Sequence, residues 1–430
     1  MGLTMEGKIL TIKYPIFGID WQRDRRGQPL VAIAGGGGAA KSGIKNCMTL
    51  ARVPPPVDAT SKPLLDVVME IDTGEQLISG VAIGSKDELL ALTMGNKTAV
   101  YRVTDGPKGK AIFVTDFQTD FAKEDSYQNV VKFSPDGTQL ATGGEDGIVR
   151  IWTLTIPSTD ENEDDEDGDQ ADLDDAAYRK AFRVSAPIVL EGHNGCINGL
   201  SWHAMGNKLL SCAKDGQCIL WSQTKKPPYT WKKAATLGLA GELALQKEDK
   251  ATNRGKFVYR GCQFEVADDD DASIVTLQTP ARGSSYLTKW SVDVDKNGKA
   301  VVEELSSVRL KDTIICSIAI SDKYIACGSS DGQVLVYRFE TLTHVKTTTA
   351  HYLPSTGIAF FPPLSSDSSE DADTSNGLEF ADDITFISAS ADYSLYLVSG
   401  MQPSRVIYFL IFLAIFLYLA VFAYLGEQSR

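Results

Sequence analysis

Asp146-Gly-Ile-Val-Arg-Ile-Trp152, Asp215-Gly-Gln-Cys-Ile-Leu-Trp221 and Asp331-Gly-Gln-Val-Leu-Val-Tyr337 repeat one pattern. Each opens with an Asp-Gly pair suited to a tight turn and continues as an alternating strand that ends in an aromatic residue. Weaker copies end at Tyr101 (after Gly95-Asn96), Trp290 (after Ser284-Ser285) and Leu397 (after Ala391-Asp392), and Cys47-Met-Thr-Leu-Ala51 adds one near the start. The ends fall at positions 51, 101, 152, 221, 290, 337 and 397, with successive spacings of 50, 51, 69, 69, 47 and 60. A WD-type blade needs about 40–45 residues. The longer spacings hold visible insertions: the acidic run Asp160–Asp175, the stretches Lys247–Gly255 and Asp268–Asp271, and the Ser/Asp/Glu-rich Leu364–Asp383. The repeats predict an all-β, seven-bladed WD-type β-propeller. Two β-sandwiches would use as many strands without this period, and no helical pattern alternates with the strands as a parallel α/β sheet requires.

Other segments fit the same unit. Ser134-Pro-Asp-Gly137 is a turn between Val130–Phe133 and Gln139–Gly143. Gly192-His193 precedes Ile197–Trp202, which reads as the inner strand of the fourth blade. The last blade lacks an outer strand of its own, and Ile9–Tyr14 is a spare strand at the N-terminus. Pairing the two would close the ring and remove an exposed edge.

The 430 residues suffice for one large propeller, and 43% hydrophobic content suits a packed core. A net charge of −14 argues against nucleic-acid binding, which needs dense Lys and Arg. Seven cysteines without a Cys-x-x-Cys pair read as free thiols in a reducing compartment, and four histidines without paired spacing disfavour structural zinc.

Met1–Tyr14 lacks the apolar core of a secretory signal. Val406–Leu425, VIYFLIFLAIFLYLAVFAYL, is twenty residues without a charge. As a helix it would span roughly 30 Å, the thickness of a bilayer core. The expected organisation is a cytosolic propeller over 1–404, one transmembrane helix over 405–425, and a short lumenal tail over 426–430. A span emerging so late in synthesis leaves the N-terminal portion in the cytosol.

The unusual stretch is Ala34-Gly-Gly-Gly-Gly-Ala-Ala-Lys-Ser-Gly-Ile-Lys-Asn46, which interrupts the first blade after the apolar strand Leu30–Ala34. Consecutive glycines reach backbone angles closed to other residues and let the chain approach a partner closely. Gly35-x-x-x-x-Ala40-Lys41-Ser42 is one residue from a phosphate-cradling P-loop. That motif needs a helix to follow, whereas this loop runs into the strand-like Cys47–Val53 and then Pro54-Pro55-Pro56. An NTPase is therefore disfavoured, and a passive glycine linker is the plain structural alternative.

Tyr14-Pro15, the Ala-Gly-Gly-Gly-Gly loop, Gly43-Ile44-x-Asn46 and a C-terminal span together resemble the endoplasmic-reticulum exchange factors for the Sar-type small GTPase. This family holds the yeast-type Sec-twelve proteins and the prolactin regulatory element-binding protein. The specific motif lies within about the first fifty residues, and the remaining resemblance is one of layout. It implies a guanine-nucleotide exchange factor that promotes GDP release at the endoplasmic reticulum membrane and initiates COPII vesicle-coat assembly, with no covalent chemistry of its own. It also implies that the loop is organised by a potassium ion and contacts the GTPase through Gly35, Gly36, Gly37, Gly38, Ala39, Ala40, Lys41, Ser42, Gly43, Ile44 and Lys45. Asn46 matches the asparagine that the family uses for exchange, and a rigid projecting amide there could compete for groups that hold the nucleotide. Lys45 stands where the yeast-type sequence has proline, and Ala39-Ala40-Lys41-Ser42 replaces more polar or acidic residues. The alternative is a membrane-anchored β-propeller scaffold without exchange activity.

The remaining candidates read as structural. His193 and His351 sit at blade entries, Trp152, Trp221 and Trp290 suit packing between blades, and the acidic insertions read as solvated loops.

Overall fold

The repeated strand pattern falls on the third strand of every blade in the computed structural model. The structure describes residues 6–24, 28–38, 43–52, 65–85, 89–104, 110–157, 168–224, 226–238, 257–265, 273–280, 284–294, 300–310, 313–360 and 385–399. Seven antiparallel sheets form a seven-bladed propeller. The third strands are Cys47–Arg52, Lys97–Thr104, Val149–Thr155, Cys218–Gln223, Ser285–Val294, Gln333–Arg338 and Ser394–Ser399. All seven expected pattern ends lie inside them.

Ring closure follows the expected route with a small shift in bounds. Strand Gly7–Thr11 pairs antiparallel with Ser394–Ser399, with Gly7 opposite Leu397 and Thr11 opposite Ser394. The fourth strand of the seventh blade therefore comes from the start of the chain. Tyr14 lies beyond that strand and is fully buried.

The core is a ring of seams rather than one centre. Each neighbouring pair of blades shares a buried apolar cluster, as where Ile9, Ile12, Tyr14, Ile16, Val31 and Ile33 meet Leu395 and Leu397 between the seventh and first blades. Second strands lie within these seams. Pro29–Gly35, Tyr324–Ser329 and Thr385–Ser390 are buried almost throughout. A strand covered on both faces reads as a continuous run of small and apolar residues rather than an alternation.

Buried polar contacts lock the strands within single blades. In the fourth blade His193 Nδ1 lies 3.1 Å from Asp215, its Nε2 lies 2.8 Å from Ser211 Oγ, and Trp221 Nε1 donates to the same Oγ at 2.8 Å. In the seventh blade His351 bridges Ser388 and Ser394, each at 3.0 Å. Trp152 and Trp290 donate to Thr142 and Thr276 in their own blades. The histidines are structural, as the sequence suggested, and the Trp152, Trp221 and Trp290 rings lie in the expected seams between blades while these bonds tie them to their own.

Part of the acidic insertion is helical, where the sequence suggested a solvated loop. Gly168–Ala181 forms the α-helix. Its last turn and the residue after it bury Tyr178 and Phe182 against Trp152, Leu154 and Val114, across the second and third blades. Arg102 stacks over the Tyr178 ring at 4.4 Å. All seven cysteines are unpaired, and all but Cys316 are buried. Among the described residues no helix is long and apolar enough to cross a membrane. The expected span at 405–425 and the tail at 426–430 lie outside the described residues.

Candidate functional site

The glycine-rich loop leaves the second strand of the first blade at Gly35 and returns into the third strand at Cys47. Residues 43–52 pass directly into a strand, so the helix that a P-loop needs is not there. Gly35 is the last residue of its strand rather than part of the loop. A Cβ on Gly35 would collide with the carbonyl oxygen of Pro15. That close approach lets Gly36 N donate to Pro15 O at 3.1 Å. Beneath it, the buried Tyr14 hydroxyl pairs with Thr49 Oγ1 at 2.6 Å and donates to Ile33 O at 3.2 Å. Burial raises the Tyr14 pKa well above its ordinary value, so the hydroxyl stays protonated. Tyr14-Pro15 is thus the footing of the loop.

Asn46 is the brace. Its side chain is not a projecting amide: the residue is only 1% exposed. Oδ1 accepts from Gly38 N at 2.8 Å, while Nδ2 donates to Gly38 O at 3.2 Å and to Gly74 O at 2.8 Å. The Asn46 carbonyl accepts from Thr73 N at 2.9 Å and from Thr73 Oγ1 at 3.1 Å. The physical reason is register. Cys47 lies opposite Asp72, so residue 46 meets the turn that follows the outer strand. A Cβ on Gly36 would overlap the Asn46 carboxamide, and Gly36 has a φ of 150°. Gly38 and Gly43 turn the chain with φ of 73° and 75°, a region that favours glycine.

The expected contact residues divide accordingly. Gly35 and Gly36 are buried at the root and shape the loop, and Gly37 and Gly38 are half-buried. Ile44 packs onto the apolar seam of the first blade. Gly43 and Lys45 are exposed, and Lys45 Nζ lies 2.8 Å from Asp72 Oδ2. That hydrogen bond raises the Lys45 pKa and lowers that of Asp72. Ala39, Ala40, Lys41 and Ser42 lie outside the described residues. The sequence reading missed Thr73 and Gly74. The Asp72-Thr-Gly74 turn after an outer strand was the available signal.

The donor chemistry suits a monovalent cation better than a divalent one. Residues 35–46 contain no carboxylate; their oxygens are backbone carbonyls, the Ser42 hydroxyl and the Asn46 amide oxygen, which already accepts from Gly38 N. The nearby Asp72 is engaged by Lys45 and by Gly74 N at 2.9 Å. Among the described residues no cluster of His, Cys, Asp and Glu could hold a metal ion.

The WD40 family (WD domain, G-beta repeat) matches residues 122–153 and 186–222, within the third and fourth blades. A chromatin assembly factor 1 protein from Gallus gallus is 30% identical over 142 residues, 33% of this chain and 24% of that protein. Striatin from Rattus norvegicus is 31% identical over 244 residues, 51% of this chain and 29% of that protein. The chain thus spans less than a third of either relative. The guanine nucleotide-exchange factor SEC12 from Mus musculus is 24% identical over 378 residues, 77% of this chain and 78% of that protein. That similarity extends through most of both chains.

Proposed function

We propose that this chain is a guanine-nucleotide exchange factor that promotes GDP release from a Sar-type small GTPase at the endoplasmic reticulum membrane, initiating COPII coat assembly. The observation that carries the reading is the braced glycine loop. A regular blade is interrupted between its second and third strands by a loop tied at Pro15, Gly38 and Gly74. The similarity to SEC12 across most of the chain supports it.

An exchange factor breaks no covalent bond. It lowers the free energy of the nucleotide-free complex relative to the GDP-bound state, so its binding groups must favour the former. A loop already ordered before encounter loses less conformational entropy on docking. Asn46 serves this as a positioning residue: its amide holds Gly38 against Gly74, and the exposed part of the loop meets the GTPase. A potassium ion, implied by the family resemblance, would be held by loop carbonyl oxygens and would add charge-based stiffening there. The apolar segment 405–425 would anchor the propeller.

The test is GDP release from a purified Sar-type GTPase, with the full-length chain in liposomes as wild type or Asn46→Ala, each in potassium and in sodium. Acceleration by wild type that Asn46→Ala reduces, and that falls in sodium, is the expected result. A wild-type chain that leaves release unchanged in either salt would sink the exchange reading and leave the membrane-anchored scaffold.

A further inference from the structure

The end of the propeller that carries the glycine loop also displays large apolar side chains on connections between blades. Tyr352 is 93% exposed and the adjoining Leu353 is 47% exposed, in the connection from the sixth blade to the seventh. Their backbone is nonetheless fixed. Tyr352 N donates to Asp392 Oδ2 at 3.0 Å, and Leu353 O accepts from Ser390 Oγ at 3.1 Å. Just before them, His351 N donates to Gly332 O at 3.0 Å. An almost fully exposed aromatic on an immobilised backbone is unlike a loop tip that is exposed because it is loose. Aromatic residues are enriched among interface anchors, and immobilising them beforehand reduces the entropy lost on binding.

This connection and the glycine loop share a footing. Thr356 Oγ1, at the start of the seventh blade's inner strand, donates to Ile16 O at 2.7 Å. The adjoining Pro15 O accepts from Gly36 N at the root of the glycine loop. Phe17, exposed at the start of the first blade's inner strand, adjoins the same pair of residues. Ile314, on the neighbouring connection into the sixth blade, is also exposed at this end.

We infer that Tyr352 and Leu353, with Phe17 at the same end of the adjoining blade, form an apolar docking surface for the same small GTPase that the glycine loop acts upon. This rests on the exchange reading above, and continuity with that loop selects the occupant. The division of labour is separable: the apolar surface sets how tightly the GTPase is held, and the braced loop sets how fast GDP leaves once it is held.

The experiment measures GDP release from a Sar-type GTPase against the concentration of the full-length chain in liposomes. Tyr352→Ser combined with Leu353→Ser is expected to raise the half-saturating concentration about tenfold or more while leaving the plateau rate near wild type. Tyr352→Phe, which keeps the ring, should stay within about twofold of wild type. Asn46→Ala should instead lower the plateau. Met205→Ser combined with Tyr229→Ser removes two side chains of similar exposure from turns at the opposite end and should change neither parameter. If wild type accelerates release and the Tyr352/Leu353 variant has the wild-type concentration dependence, the docking surface is wrong and the exchange reading stands. Loss of affinity in Tyr352→Phe equal to that in the double variant would overturn the apolar basis of the contact. If wild type does not accelerate release, both readings fall together.

Discussion

Replacing Asn46 with alanine removes a brace whose strength can be worked out from its contacts. The side chain makes three hydrogen bonds, two with Gly38 and one with Gly74 O. A net contribution near 1 kcal/mol each gives about 3 kcal/mol, and partial rehydration of the half-exposed Gly38 reduces this to roughly 2–3 kcal/mol. The Thr73 contacts go to the Asn46 backbone carbonyl and persist in the variant. The loss should therefore be confined to the loop. Hydrogen exchange followed by mass spectrometry reads it directly, because a 2–3 kcal/mol drop in local opening energy speeds exchange about 30- to 150-fold. Peptides covering residues 36–46 should show that acceleration while those from the fourth blade exchange as in wild type. Asn46→Asp should be worse than Asn46→Ala, since it directs a buried carboxylate at the carbonyls of Gly38 and Gly74. Wild-type exchange across residues 36–46 in Asn46→Ala would refute the brace.

Gly36→Ala should reproduce the Asn46→Ala exchange pattern, because the added methyl overlaps the carboxamide it would have to displace. Removing residues 1–11 deletes the strand paired with Ser394–Ser399, opening the ring and exposing Leu395 and Leu397. A lower thermal midpoint and concentration-dependent aggregation are expected by calorimetry and light scattering. Burial lowers the pKa of both His193 and His351, against the opposing pull of Asp215 and Asp392. Both rings are neutral in the fold, while the unfolded chain takes up protons below about pH 6.5. Their stabilising effect is therefore complete above that pH and is lost as pH falls toward the folded-state values. Urea midpoints measured from pH 7 to 5 should fall, and less steeply in His193→Gln.

The sequence made the blade count legible because the Asp-Gly turn and the terminal aromatic mark the same strand each time, and a third strand pairs on both edges. It made closure legible because a spare N-terminal strand faced a blade lacking one. The helix Gly168–Ala181 was hidden by its composition. Its first half is acidic, and Tyr178 with Phe182 just past its end give too short an apolar stripe to set a helical period. The glycine loop stood out, but the burial of Asn46 did not. Its partners come from Gly38 and from Gly74, 28 positions away, and only the pairing of Cys47 with Asp72 brings that turn beside it. A polar residue between a glycine run and a strand reads as an exposed turn until that register is known.

The same register also fixes what each end of the propeller can meet. The inner strand of each blade starts at the end that carries the glycine loop, so second strands return to that end and third strands finish at the other. The third strand of the seventh blade finishes at Ser399, opposite the loop. The connections holding the acidic stretches, between 157 and 168, 265 and 273, and 360 and 385, also leave from that opposite end. An anchor at 405–425 would join through residues 400–404, whose reach is at most about 18 Å when extended. The seventh blade adjoins the first, where the glycine loop lies, and the connection bearing Tyr352 and Leu353 opens the seventh blade itself. The glycine loop and Tyr352 therefore lie at the end of the ring opposite the one from which an anchor would leave.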